Sequence, residues 1–186
     1  MAGFGSRRSF IQQAALAGLA LLPVRRLLAA DAGDRCLSFV HTHTGERLTS
    51  TYFRAGAYVP AALTRLDELL RDFRTEQTHA IDPQLFDRLH GLQQLARCGA
   101  PFEIISGYRS PATNAGLRNR SSGVAEHSLH MEGKAIDIRL PGYATARLAA
   151  LARLQNAGGV GFYRVSDFVH VDTGRVRIWG DPLTAA

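Results

Sequence analysis

The chain has 186 residues, 46% of them hydrophobic and 20% charged, which is enough for one domain with a sizeable core and too apolar for wholesale disorder. Its formal charge of +6 points toward nucleic acid until that charge is located. Residues 1–30 hold Arg7, Arg8, Arg25 and Arg26 and no acid, so the rest of the chain carries 18 Lys/Arg against 16 Asp/Glu. No basic block long enough to track phosphates remains, and nucleic acid is not an expected partner.

In chain order, the first expected element is an export signal over residues 1–30. Arg7-Arg8 precedes a mildly apolar run from Ala14 to Val24, and small residues follow at Ala29, Ala30 and Ala32. The run is too short to span a bilayer, which takes about 20 apolar residues. Paired arginines before it fit a twin-arginine signal, cleaved after Ala30 or after Ala32. The mature chain, 31–186, is then expected in the periplasm, with no transmembrane segment and as a monomer.

Leu37 to Thr42 and Leu48 to Phe53 read as a hairpin around Thr44-Gly45-Glu46. Pro60 to Phe73 reads as a helix, with Leu63, Leu66, Leu69 and Leu70 at helical spacing. Asp82-Pro83 opens another through Arg97, closed by Gly99, with Leu85, Phe86, Leu89, Leu92 and Leu95 as its apolar face. Phe102 to Ser106 is a strand, Ser110-Pro111 starts a helix to Arg118, and residues 119–129 form a loop. Ala135 to Leu140 is a strand and Ala144 to Gln155 a helix; strands at Val160 to Tyr163, Phe168 to Asp172 and Val176 to Trp179 complete the chain. Strands concentrated late among helices predict an α+β domain, a small and mainly antiparallel sheet with helices packed on it. Cys36 and Cys98, far apart in sequence, are expected to be small buried hydrophobes and not a disulfide.

The chemistry is carried by two stretches. In the strand after Gly133, alternation sends Ile136 and Ile138 to the core and Asp137 to the opposite face, with His130 one loop earlier. In Phe168-Val169-His170-Val171-Asp172, the same alternation puts His170 and Asp172 on the face away from the core. If the two strands are neighbours, His130, Asp137 and His170 converge. Two imidazoles, one carboxylate and a fourth position open to water are what a catalytic zinc site requires. Serine chemistry finds no nucleophile elbow or triad, and Gly158-Gly159-Val160-Gly161 precedes a strand, so it reads as a turn and not a phosphate cradle.

Taken together, Ser106-Gly107-Tyr108-Arg109-Ser110-Pro111, Ser128-x-His130-x₂-Gly133-x-Ala135-x-Asp137 and Phe168-Val169-His170-Val171-Asp172 resemble the D-Ala-D-Ala metallopeptidase group, which shares its fold with the hedgehog signalling domain. Gly158 to Tyr163 and Arg175-x-Arg177-x-Trp179 are similar to its murein endopeptidase K-like branch, and the likeness runs from Leu37 to Trp179. The resemblance implies Zn²⁺ bound by His130, Asp137 and His170, with Arg109 beside it to bind the substrate carbonyl or oxyanion. Many relatives carry an acid three residues before the last histidine, here Asp167, as the general base. Asp172 competes for that role from the same face as His170, or orients a ligand histidine. Ser106, Tyr108 and Arg118 are candidate substrate contacts, Arg120 and Arg139 further candidates for carboxylates; His127 is a minor one, and Glu126 and Glu132 belong to the rim. The implied activity is hydrolysis of cross-link peptide bonds in peptidoglycan, acting on its stem peptides. Alternatives are a D,D-carboxypeptidase and a catalytically weak peptidoglycan-binding protein.

Overall fold

The computed structural model describes residues 33–121 and 123–180, so the export signal expected over residues 1–30 lies outside the described residues. Eight strands form one sheet: β1 (Arg35–His41), β2 (Arg47–Arg54), β3 (Ala57–Tyr58), β4 (Phe102–Ser106), β5 (Ala135–Arg139), β6 (Gly159–Tyr163), β7 (Phe168–Asp172) and β8 (Arg177–Trp179). Their order is β3-β2-β1-β4-β5-β7-β6-β8, antiparallel except at β1/β4 and β6/β8. Among the described residues four α-helices accompany it: α1 (Pro60–Leu69), α2 (Pro83–Ala96), α3 (Pro111–Arg118) and α4 (Thr145–Leu154). The architecture is therefore α+β with a mainly antiparallel sheet, as the order of elements predicts.

The helices start where the sequence places their caps. Asp82 accepts from Gln84 N at 3.0 Å and Ser110 from Thr113 N at 3.2 Å, each followed by proline in the first turn. The ends differ. α2 closes at Arg97, held left-handed at φ 49°, two residues before Gly99, and Leu95 faces solvent instead of the core. α1 stops at Leu69, short of the Phe73 expected, and the chain enters a turn at Asp72. Its carboxylate accepts from Arg74 N (3.0 Å) and from Ser110 N (2.9 Å), tying the turn after α1 to the start of α3.

Alternate residues of the strands, among them Leu37, Phe39, Ile104, Ile136, Ile138, Val169 and Val171, are buried in one core with Leu66, Leu85, Phe86, Leu89 and Leu148 from the helices. The same alternation corrects the expectation for the cysteines: with Leu37 and Phe39 inward, Cys36 is turned out and exposed, while Cys98 is half-buried after α2 and both thiols are free.

The site depends on one departure from regular pairing. On β4, Phe102 and Ile104 point to the core, and Ser106 would follow them by parity. A bulge between Ile104 and Ser106 shifts the register so that Ser106 stands opposite Asp137. Asp137 pairs with His170, His170 with Gly161 and Gly161 with Trp179. Five strands thus set Ser106, Asp137, His170, Gly161 and Trp179 in one lateral row.

Burial raises the pKa of Asp72, but hydrogen bonds from Thr113, Ser110 and Arg74 overcome it and bring the carboxyl down to about 2. Because the folded value is depressed, the stabilisation is present above the ordinary carboxylate range and is lost as pH falls through about 2. Asp72→Ala is expected to cost about 2 kcal/mol in urea unfolding at pH 7. The gap between wild type and variant should shrink as pH drops from 5 toward 2; a constant gap would refute the assignment.

Candidate metal centre

Each of the three candidate ligands is placed by a different local device. Ser128 accepts from His130 N at 3.4 Å and starts a short 3₁₀ turn, Leu129–Glu132. Gly133 closes that turn at φ 66°, with the Ala80 carbonyl so near that a Cβ would sit 2.2 Å from its oxygen. Glycine is required there, and it presses the His130 turn against the segment leading into α2. Asp137 and His170 come from paired positions of adjacent strands.

The result is a compact triangle of donor atoms. His130 Nε2 lies 3.2 Å from His170 Nδ1 and 3.3 Å from Asp137 Oδ1, and His170 Nδ1 lies 2.9 Å from Asp137 Oδ1. Three corners of a tetrahedron with ~2.0 Å bonds are about 3.3 Å apart, so one small divalent ion can be shared by all three. All three residues are buried and could hold a metal ion. Their outer atoms are already engaged. The second nitrogen of His130, Nδ1, donates to Gly107 O at 2.7 Å, and His170 Nε2 donates to Asp172 Oδ2 at 3.0 Å. Those bonds leave the lone pairs of Nε2 and Nδ1, respectively, turned toward the shared point.

Electrostatics favours the ligand forms of Asp137 and His130, whereas His170 must give up a proton to a metal. Burial opposes the charge on Asp137, but His130 and His170 hold its carboxyl far below the usual range. Burial lowers His130 toward the neutral imidazole. Burial also pulls His170 down, yet its bonds to Asp137 and Asp172 prevail and leave it raised. A buried carboxylate between two imidazoles and a guanidinium is a cation-binding arrangement.

Asp172 is fully buried and its acceptor capacity is filled. Oδ1 accepts from Gly159 N (2.9 Å), Gly174 N (2.8 Å) and Arg177 Nη1 (3.1 Å), while Oδ2 takes His170 and Arg177 Nη2 (2.7 Å). These bonds overcome burial and hold it well below the carboxylate range. Behind it, Arg88 of α2 donates to the Asp172 carbonyl and to that of Gly159 (3.3 Å).

The triangle opens into a cleft of about 560 Å³. Ser106 and Arg109 line it; Arg109 Nη2 donates to Ser106 Oγ (3.3 Å) and Asp137 Oδ2 (3.4 Å), and burial lowers its pKa. On the β8 side stand Tyr163 and Trp179, the indole donating to the phenol at 3.1 Å. His43, after β1, and Arg74 line it as well, together with His127 from the loop before the 3₁₀ turn.

Other sequence candidates lie elsewhere. Asp167 is exposed at φ 52°, its carboxylate accepting from the Thr145 hydroxyl and lying 3.7 Å from Arg139 Nε. Arg139 also donates to the carbonyls of Ser166 and Asp167. Tyr108 is buried and stacked on His79 with ring centroids 4.8 Å apart, away from the cleft lining. Arg118 pairs with Glu126 at 3.5 Å on the surface, and Glu132 with Lys134 at 2.9 Å. Sequence reasoning did not single out His43, Arg74 or Tyr163 as site residues, and it used Trp179 only as part of a motif; the signal available for the last was Gly161, a glycine in a strand that makes room for a ring.

Comparison with known proteins identifies the family. The profile of the peptidase M15 family described as peptidoglycan L,D-endopeptidase MepK matches residues 29–179. The "Probable peptidoglycan L,D-endopeptidase MepK" of Haemophilus influenzae is 43% identical over 164 residues, 87% of this chain and 88% of its own. The peptidoglycan L,D-endopeptidase MepK of Escherichia coli K12 is 40% identical over 163 residues, 87% and 90% of the two chains. The crystal structure of Serratia marcescens L-Ala D-Glu endopeptidase ChiX overlaps 41% of this chain and 62% of its own, at 20% identity and a TM-score of 0.33, too loosely to bear on the site. With the profile spanning the whole described domain and relatives matched over most of their length, the chain belongs to the MepK family of M15 peptidases.

Proposed function

We propose that this protein is a zinc-dependent murein endopeptidase that hydrolyses L,D amide bonds in peptidoglycan cross-links. The observation that carries the reading is the triangle of His130 Nε2, Asp137 Oδ1 and His170 Nδ1, with edges of 2.9 to 3.3 Å, at the base of an open cleft in a chain of this family. Two imidazole nitrogens and one carboxylate oxygen suit zinc, with a further position left for water. Such an ion lowers the pKa of water toward about 7 and polarises a carbonyl.

The chain's own residues do the rest. Gly107 O and Asp172 fix the tautomers of the two ligand histidines. Arg109, its Nη2 beside Asp137 and its Nε buried without a partner, donates to the oxyanion that develops on the scissile carbonyl. Asp172, with both oxygens occupied, acts as a positioning residue. Thr145 and Arg139 hold Asp167 outside the cleft, so we assign the attacking water's proton to a group that lines it: the exposed imidazole of His127.

The mature chain acts outside the cytoplasm, reached through the twin-arginine signal of residues 1–30, and works as a monomer. Among the described residues no helix is long and apolar enough to cross a membrane.

Incubation of the zinc-loaded mature protein with L,D-cross-linked muropeptides is expected to convert dimers to monomers, and a chelator to stop it. Release of free D-alanine without loss of dimers would replace this reading with terminal trimming. His127→Ala should lower kcat by about 10²-fold or more, whereas Asp167→Asn should stay within about twofold; the reverse pattern would return the base to Asp167. Asp172→Asn should weaken zinc about 10- to 100-fold in competition with a chromogenic chelator, and unchanged affinity would refute its positioning role.

A further inference from the structure

Of the charged side chains lining the cleft, only Asp137 is acidic, and it is a candidate metal ligand; Arg74, Arg109 and Arg177 are basic. Arg177 is committed to Asp172. Arg74 is not committed to any acid: among the described residues its guanidinium has no ion-pair partner and rests on the Phe73 ring, 4.1 Å from its centroid. His43 stacks on the same ring at 4.2 Å and 14°. Two planar groups cannot both lie about 4 Å over one face of a ring, so Phe73 is held between them, and it orients an imidazole and a guanidinium at the cleft wall.

The turn that carries Arg74 is built and not merely exposed. Asp72 N donates to Gln77 O at 2.9 Å and Glu76 N to Asp72 O at 2.7 Å, which closes the turn on itself. The buried Asp72 carboxylate then bonds Arg74 N and Ser110 N, joining the turn to the segment that holds Arg109. The two guanidiniums are close enough to feel each other: beyond burial, which lowers it, and Asp137, which raises it, the pKa of Arg109 is lowered by the charge of Arg74. Arg109 has Asp137 as its counter-charge, but Arg74 adds a second positive charge nearby that no ion pair among the described residues offsets, and an anionic ligand relieves that arrangement.

We infer that Arg74, with His43 beside it, forms a subsite for a free carboxylate of the substrate flanking the scissile bond. The inference rests on the cross-link reading above. In an L,D cross-link between two diamino acids, the leaving nitrogen belongs to a D-centre whose own carboxylate is free, and the acyl strand carries a second free carboxylate on its isoglutamyl residue. Either can accept a guanidinium bidentately. Recognition of a carboxylate makes the cleft selective for cross-linked, unamidated stem peptides over ordinary peptides.

The test uses three muropeptide dimers: one with all carboxylates free, one amidated at the D-centre that bears the leaving nitrogen and one amidated at the isoglutamyl residue of the acyl strand. Wild-type mature protein with zinc is expected to cut one of the amidated dimers about 10- to 100-fold less efficiently in kcat/KM than the free dimer, the size of a lost charged hydrogen bond. That dimer identifies which carboxylate the subsite takes. Arg74→Gln should cut the free dimer as poorly as wild type cuts the affected amidated one, and should treat the two alike. Arg74→Lys should retain part of the discrimination. Zinc affinity and melting temperature of Arg74→Gln should match wild type, because Arg74 is exposed and touches no ligand atom. Equal cleavage of all three dimers by wild type, or an undiminished preference in Arg74→Gln, overturns the subsite while leaving the endopeptidase reading intact. Failure to cut any dimer sinks both.

Discussion

The lateral register of β4, β5, β7, β6 and β8 is the constraint from which the site follows. In a sheet, residues opposite one another share a face, and one slip of register would turn every side chain to the other side. Here the pairings Ser106–Asp137, Asp137–His170, His170–Gly161 and Gly161–Trp179 place the polar row, while the neighbouring positions Ile136, Ile138, Val169 and Val171 anchor the core. Core packing therefore fixes the separation of Asp137 and His170. The bulge before Ser106 is the exception that adds β4 to the row, and the Gly107 and Arg109 that follow it serve His130 and Asp137.

Burying this much charge requires that each group have a partner. Asp137 meets two imidazoles and Arg109; Asp172 meets His170, Arg177 and two backbone amides. The glycines around Asp172 are part of that cost. At Gly159 a Cβ would lie 2.3 Å from Asp172 Oδ2, so the close approach that satisfies the carboxylate excludes any other residue. The Gly158-Gly159 pair, a turn by its sequence, is thus also the cradle of the group that orients His170.

Alternation is a local property, which is why so much of this was legible in the sequence. The hairpin, the caps at Asp82 and Ser110 and the faces of Asp137 and His170 depend only on near neighbours. What escaped depends on tertiary partners. Nothing in Phe102 to Ser106 announces a bulge, and the apolar spacing of α1 runs on through Leu70 to Phe73, across the turn in which Asp72 takes Arg74 N and Ser110 N to itself. Cys36 looked apolar enough for the core, but strand parity outranks hydrophobicity at a single position. The spacing that singles out Asp167 says nothing of which way its side chain turns, and Thr145 and Arg139, far away in sequence, decide that.

Trp179 shows how the edge of the sheet completes the cleft. A Cβ at Gly161 would lie 2.4 Å from the indole, so the ring can lie over this strand position only because it is glycine. Lying there, Trp179 comes within 5.0 Å of the His170 ring, centroid to centroid, and donates to Tyr163, itself stacked on Phe168 at 4.5 Å. Three rings in contact form an apolar wall opposite the basic one on the β1 side. Such a wall keeps water from one flank of the donor triangle, and charges interact more strongly where water is excluded. The rings add no charge of their own, and the guanidinium over Trp179, that of Arg177 at 5.0 Å, is paired with Asp172. A larger residue at position 161 would push the indole out and wet that flank, though every ligand atom stayed in place.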